Sequence, residues 1–144
     1  MKNSYFLQLE QCAESFDIDL GEVIDQLAFN DDGLIPVIAQ DATTKRVLMM
    51  AWMNKESLHK TITTGDVTYW SRSRQQFWVK GLTSGNTQEL VSMSFDCDGD
   101  AILCQVNQKG GACHTDRIDC FYLTVNKEQL TVRVPSADEG KPDS

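Results

Sequence analysis

The sequence predicts one strand-rich α+β domain, with a mostly antiparallel sheet, one central helix and a short N-terminal helix. Three observations lead there. Short apolar runs rich in Val, Ile, Trp and Tyr recur between Gly-, Asn- and Lys-bearing turns, which is the signature of strands. A single segment carries a full set of helix start and stop signals. A chain of 144 residues with 41% hydrophobic content can bury one real core, and two domains are not expected.

In chain order, residues 1–32 form an acidic extension in which Val23, Ile24 and Leu27, at i, i+1 and i+4, predict a short amphipathic helix. Residues 34–40 (LIPVIAQ) and 46–53 (RVLMMAWM) read as two strands of a hairpin around the turn DATTK. Asn54 stands as a cap before KESLHKTITT, and Gly65 closes that helix. Strands are then expected at 67–73, 76–81, 87–96, 100–108, 119–125 and 130–134. The polar segment 135–144 reads as a disordered tail, leaving 33–134 as the functional domain.

Charge narrows the choice of partner. The net charge is −8, yet residues 1–35 hold eight acidic residues against Lys2, while 36–134 carry 11 basic and 10 acidic residues. With three clustered aspartates set aside as cation ligands, that middle region is +4. A small phosphorylated molecule suits it; no basic stripe follows a nucleic-acid backbone, so nucleic acid is not an expected partner. No apolar run approaches the roughly 20 residues that span a bilayer, so no membrane association is expected. The N-terminus lacks the apolar core of a secretory signal, and a cytoplasmic location follows. In that compartment five cysteines, an odd number, do not predict disulfides. Cys12 and Cys104 are expected to be buried structural thiols.

Three groups of residues could carry chemistry. DCDGD sets Asp96, Asp98 and Asp100 so close together that they stay ionised only in open water or around a cation. The sixth and twelfth positions of a calcium loop would fall on Ala101 and Asn107, which excludes an EF-hand and leaves Mg²⁺ as the hard ion to consider. In an extended segment the three aspartates would share one face and Cys97 would take the other. Cys113 and Cys120 lie seven apart in GGACHTDRIDCFY. With Cys97 they make three thiolates without an evident fourth ligand, the count of an open, catalytic zinc site, and His114 stands beside them as ligand or base. The stretch YWSRSRQQFWVKGLTSGNTQ mixes Arg72, Arg74 and Lys80 with hydroxyls and glycines, a phosphate-binding composition without a P-loop. Strand periodicity places Arg72 and Arg74 on one face with Trp70. His59 reads as a surface residue of the helix.

Taken in order over residues 33–122, GLIPVIAQD, VLMMAWMNKESL, TGDVTYWSRSR, WVKGLTSGNTQ, DCDGDAIL and GGACHTDRIDCFY resemble the successive motifs of the phosphoribosyl-AMP cyclohydrolases of histidine biosynthesis. The resemblance implies that 33–134 is the cyclohydrolase domain, that Asp96, Asp98 and Asp100 bind Mg²⁺, and that Cys97, Cys113 and Cys120 bind Zn²⁺. It implies hydrolytic opening of the adenine ring of 1-(5-phosphoribosyl)-AMP; for the proton transfer that this needs, His114 is the candidate among the residues beside the thiols. Trp70, Arg72, Arg74, Lys80, Ser84 and Asn86 are expected to hold this phosphorylated nucleotide. It further implies an intertwined homodimer that shares each zinc between subunits. One departure stands out: the family pattern SGHxQ reads SGNTQ here, with Asn86 in the histidine position. The HxE…PCxxC signature of zinc deaminases is absent.

Overall fold

The computed structural model describes residues 4–142. It is α+β and strand-rich, with helices α1 (Ser4–Leu9), α2 (Leu20–Gln26) and α3 (Lys55–Thr64). The strands are β1 (Ile35–Asp41), β2 (Val47–Met53), β3 (Thr68–Ser71), β4 (Gln76–Val79), β5 (Gln88–Phe95), β6 (Ile102–Gln108), β7 (Thr124–Asn126) and β8 (Thr131–Arg133). The main sheet has the order β2-β1-β6-β5, and β3-β4 and β7-β8 form separate hairpins. All pairings are antiparallel except β1 with β6.

The sheet has one core face. On the side where Ile35, Val37 and Ala39 stand, β2 contributes Met49 and Met53 and β6 contributes Ile102, Cys104 and Val106, all buried. Ile24 and Leu27, Leu58 of α3, and Val67 and Tyr69 of the β3 region complete this core. On the opposite face Ile38 pairs with Met50, and both side chains remain exposed.

Helix α3 begins and ends as its sequence predicts. Asn54 accepts from the Ser57 N–H at 2.7 Å while Ser57 accepts from the Asn54 N–H at 2.9 Å, and Gly65 closes the helix at φ 80°. His59 is exposed, as expected.

Several expectations change. An extra helix, α1, precedes the predicted N-terminal one. Strand β3 stops at Ser71, and residues 72–75 turn, with the Gln75 N–H donating to the Ser71 carbonyl at 2.9 Å. Arg72 and Arg74 therefore ride on a hairpin turn, not on a strand face with Trp70. Of the segment 119–125 only its end is strand, because the preceding backbone is used elsewhere: Cys120 N–H donates to Leu48 O at 2.8 Å and Phe121 N–H to the Asp119 carboxylate at 2.7 Å. Cys104 is buried, and burial pushes its thiol up to about 12; Cys12, expected to be buried too, is exposed. The polar C-terminal segment, read from composition as disordered, returns to the cysteine loop at residues 136–140. Ser136 and Glu139 carbonyls accept from Arg117 at 2.9 and 3.1 Å, and Gly140 O accepts from Ile118 N–H at 2.7 Å. Among the described residues no helix is long and apolar enough to cross a membrane.

Candidate active site

A cleft of roughly 1340 Å³ opens between β2, the β3-β4 hairpin, the loop 80–87 and the cysteine loop that follows β6. Trp70, Arg72, Arg74, Lys80, Ser84 and Asn86 all line it. So do Cys113 and His114, which brings the substrate-binding candidates and the thiol–imidazole pair into one cavity.

Each wall has a local cause. The β3-β4 hairpin carries Trp70 and Phe77 as a cross-strand pair, with rings 5.2 Å apart edge to face. At its turn the Arg72 guanidinium lies 4.9 Å from the ring centre of Trp52 on β2, an aromatic platform that the sequence pattern did not reveal. The loop 80–87 folds tightly enough to require glycine. Gly81 has φ +80°, and a Cβ there would sit 2.3 Å from the Asn86 carbonyl carbon. Asn86 is fixed in turn: its amide nitrogen lies 3.4 Å from the Asp116 carboxylate, and its side-chain oxygen occupies the space beside Gly110.

Cys113, which lines the cleft, and Cys120 beside it lie closely enough for each to shift the other's ionisation. Burial penalises the Cys113 thiolate, but hydrogen bonds from Thr115 and Cys120 and the charge of Arg117 outweigh it and lower its pKa. Cys120 takes the opposite course: burial, reinforced by the neighbouring Cys113, pushes it up to about 12. The pair thus loses its protons in order, Cys113 before Cys120, and a bound cation would release the second one. Two basic residues brace it. Lys80 is 8% exposed and donates to the Ala112 carbonyl at 2.7 Å, and burial lowers its pKa against the pull of the two thiols. Arg117 lies 4.1 Å from the Tyr122 ring centre and holds the folded-back C-terminal segment. Arg117 was not among the sequence candidates, although its position between the two cysteines was the available signal. His114 Nδ1 is 4.0 Å from Cys113 Sγ.

The carboxylate group lies elsewhere. DCDGD is a turn, so the alternation expected of an extended segment does not apply. Gly99 N–H donates to Asp96 O at 3.0 Å, and Asp96 Oδ1 accepts the N–H groups of Asp100 and Ala101 at 2.8 and 3.3 Å. This wrapping draws ligand oxygens of Asp96, Asp98 and Asp100 within 4.8 Å of one another. Burial opposes ionisation of Asp96, yet hydrogen bonds from Asp100, Ala101 and Asp98 prevail and lower its pKa. Asp100 is raised, chiefly by its hydrogen bond to Asp96. Three carboxylates gathered this closely, one of them harder to ionise because of its neighbours, are a donor set suited to a hard divalent ion.

Cys97 does not join the other two thiols within one chain. It groups with Asp98 and Glu10. The reason is topological: DCDGD follows the last residue of β5, while the loop 80–87 precedes its first, and the eight residues of β5 separate them by roughly 25 Å. Because β6 runs back antiparallel, the cysteine loop lies at the cleft end, where Lys109 N–H donates to Thr87 O at 2.9 Å.

Fold and cleft together describe an α+β enzyme whose cavity joins a thiol–imidazole floor to a cationic, aromatic rim. The phosphoribosyl-AMP cyclohydrolase family profile matches residues 49–122. The chain is 50% identical over 127 residues to the phosphoribosyl-AMP cyclohydrolase of Alcanivorax borkumensis, covering 88% of this chain and 89% of that one. Its counterpart in Roseobacter denitrificans is 60% identical over 101 residues, 70% of this chain and 79% of the relative. That of Hyphomonas neptunium is 63% identical over 97 residues, 67% and 74%. The chain belongs to the phosphoribosyl-AMP cyclohydrolase family.

Proposed function

We propose that this enzyme hydrolyses the N1–C6 bond of the adenine ring in 1-(5-phosphoribosyl)-AMP, giving the formimino imidazole carboxamide ribotide of histidine biosynthesis. The observation that carries the reading is the convergence of Cys113, His114, Arg72 and Arg74 on one cleft, in a chain with the family's motifs.

The residues divide the work. Arg72 and Arg74, on their mobile-length side chains at the hairpin turn, bind the two phosphates; Trp52 holds the Arg72 plane from behind. Trp70 offers a ring face to the purine, and Ser84 and Asn86 hydrogen-bond the ribose or phosphates from the opposite wall. His114 stands beside the thiol pair, where it takes a proton from the attacking water and returns it to the departing N1. Lys80 and Arg117 stabilise negative sulfur at the floor. Cys113, Cys120 and Cys97 would hold zinc, which supplies the Lewis acidity that lets water attack C6 near neutral pH. Asp96, Asp98 and Asp100 would hold Mg²⁺, which neutralises substrate phosphate charge.

The same geometry favours a homodimer. Since one chain keeps Cys97 and the aspartates a strand's length from its cleft, a second copy must bring them there. Apolar surface for such pairing is present: Phe121, Leu123, Val125, Leu130, Val132 and Val134 are each more than half exposed. The test is to follow the ultraviolet change as the purine opens, with metal-replete protein and with chelator. Turnover that chelator abolishes and added zinc restores is expected. No spectral change from metal-replete protein would overturn the assignment.

A further inference from the structure

The acidic N-terminal segment lies outside the residues 49–122 that the family profile matches, yet it is docked on the aspartate turn. Three contacts establish this. Phe6 of α1 is 5% exposed and lies against Gly99, the glycine inside DCDGD; a Cβ on Gly99 would fall 2.2 Å from the Phe6 ring. The Ala28 N–H, just after α2, donates to the Gly99 carbonyl at 2.8 Å. Glu10, the residue that follows α1, places a carboxylate oxygen within 4.8 Å of both an Asp98 oxygen and the Cys97 sulfur.

We propose that α1 is a brace for the divalent-cation turn, with Phe6 and Glu10 as positioning residues. The inference rests on the reading of Asp96, Asp98 and Asp100 as a Mg²⁺ site. Gly99 has φ +68°, and the turn it makes is what lets Asp96 gather the N–H groups of Asp100 and Ala101. The Phe6 ring closes one side of that turn and the Ala28 hydrogen bond pins its carbonyl, so the left-handed conformation is held before any cation arrives. Preorganisation of this kind spares the ion the ordering of its ligands. Glu10 adds a fourth negative charge beside Asp98. In the bare protein that charge repels its neighbours; with a divalent ion present it is attractive, and it biases the turn toward the loaded state. Asp98 is the residue common to both groups, which makes it the point where the brace acts.

Mn²⁺ serves as probe, because the electron paramagnetic resonance signal of the free ion reports binding without turnover. Glu10 is exposed, so Glu10→Gln is expected to fold and to weaken Mn²⁺ binding by about three- to ten-fold, the effect of one nearby charge in a solvated site. Zinc content should not change, and Glu10→Asp should recover part of the loss. Phe6→Ala should weaken Mn²⁺ binding as well, and Phe6→Leu, which refills most of the space, should restore it. If Phe6→Ala does not fold, the Glu10 pair alone decides. Asp98→Asn is the reference: unchanged Mn²⁺ affinity in that variant would remove the underlying cation site. Loss in Asp98→Asn with wild-type affinity in Glu10→Gln, and in Phe6→Ala where it folds, would leave the site intact and overturn the brace.

Discussion

Gly81→Ala tests how the cleft wall is built, and Gly85→Ala in the same loop supplies the control. Both glycines have left-handed backbones, φ +80° and +83°, so each alanine carries about 1–2 kcal/mol of conformational cost. They differ in what a Cβ would meet. At Gly85 nothing lies within 4 Å. At Gly81 the Cβ would be 2.3 Å from Asn86 C, 2.4 Å from Asn86 O and 2.4 Å from Thr87 N, all backbone atoms. Relief needs a movement of about 1 Å in a segment tied down on both sides, since Lys80 N–H donates to Val67 O at 3.0 Å and Gly85 N–H to Gly81 O at 2.8 Å. Overpacking of that kind adds about 1–3 kcal/mol. Urea unfolding should therefore show Gly85→Ala losing about 1–2 kcal/mol and Gly81→Ala about 2–5 kcal/mol, with unchanged m-values. Gly81→Ala should also depress turnover, because the displaced wall carries Lys80 and Asn86. Equal losses in the two variants would refute the close approach on which the wall depends.

Other expectations concern the floor, the rim and a remote turn. Cys113→Ala and Cys120→Ala should each lose bound zinc and nearly all turnover; either variant retaining stoichiometric zinc by elemental analysis would remove that sulfur from the site. Arg72→Met should raise KM for the bisphosphorylated substrate about ten-fold or more with a smaller change in kcat, and Trp52→Leu should follow in the same direction more weakly. Asp41 gives a pH test. Its pKa is lowered, first by the Thr44 N–H at 2.7 Å and then, against burial, by the Thr44 hydroxyl and the Thr43 N–H at 3.1 Å. Because the folded-state pKa lies below the unfolded one, this contribution is present above the unfolded carboxylate range and is lost as pH falls through the folded value. Asp41→Asn should thus destabilise by about 1 kcal/mol or less at pH 7, and the two proteins should converge in strongly acidic solution.

Local signals were readable where short-range chemistry decides the outcome. The helix at Lys55–Thr64 was legible because Asn54, Ser57 and Gly65 satisfy its ends through contacts within a few residues. The β1–β2 hairpin followed from two apolar runs around a polar turn. Helix α1 was missed because its burial rests on one residue, Phe6, against a turn more than 90 positions away. The strand expected over 119–125 failed for a related reason: its apolar and aromatic residues suit a strand, but Asp119 caps the local backbone and Leu48 takes the Cys120 N–H.

For the candidate site, residue chemistry was written in the sequence and grouping was not. Thiols, carboxylates and guanidinium groups at unusual densities raise the expectation of metal and phosphate ligands whatever the fold, since like charges and clustered donors have few stable uses. Which of them meet depends on β5 and β6. Their antiparallel pairing carries the loop of Cys113 and His114 to the loop 80–87 and sends DCDGD to the other end, beneath α1. Side-chain chemistry is a property of each residue and can be read one position at a time; proximity is set by strand direction and length, which exist only once the chain has folded.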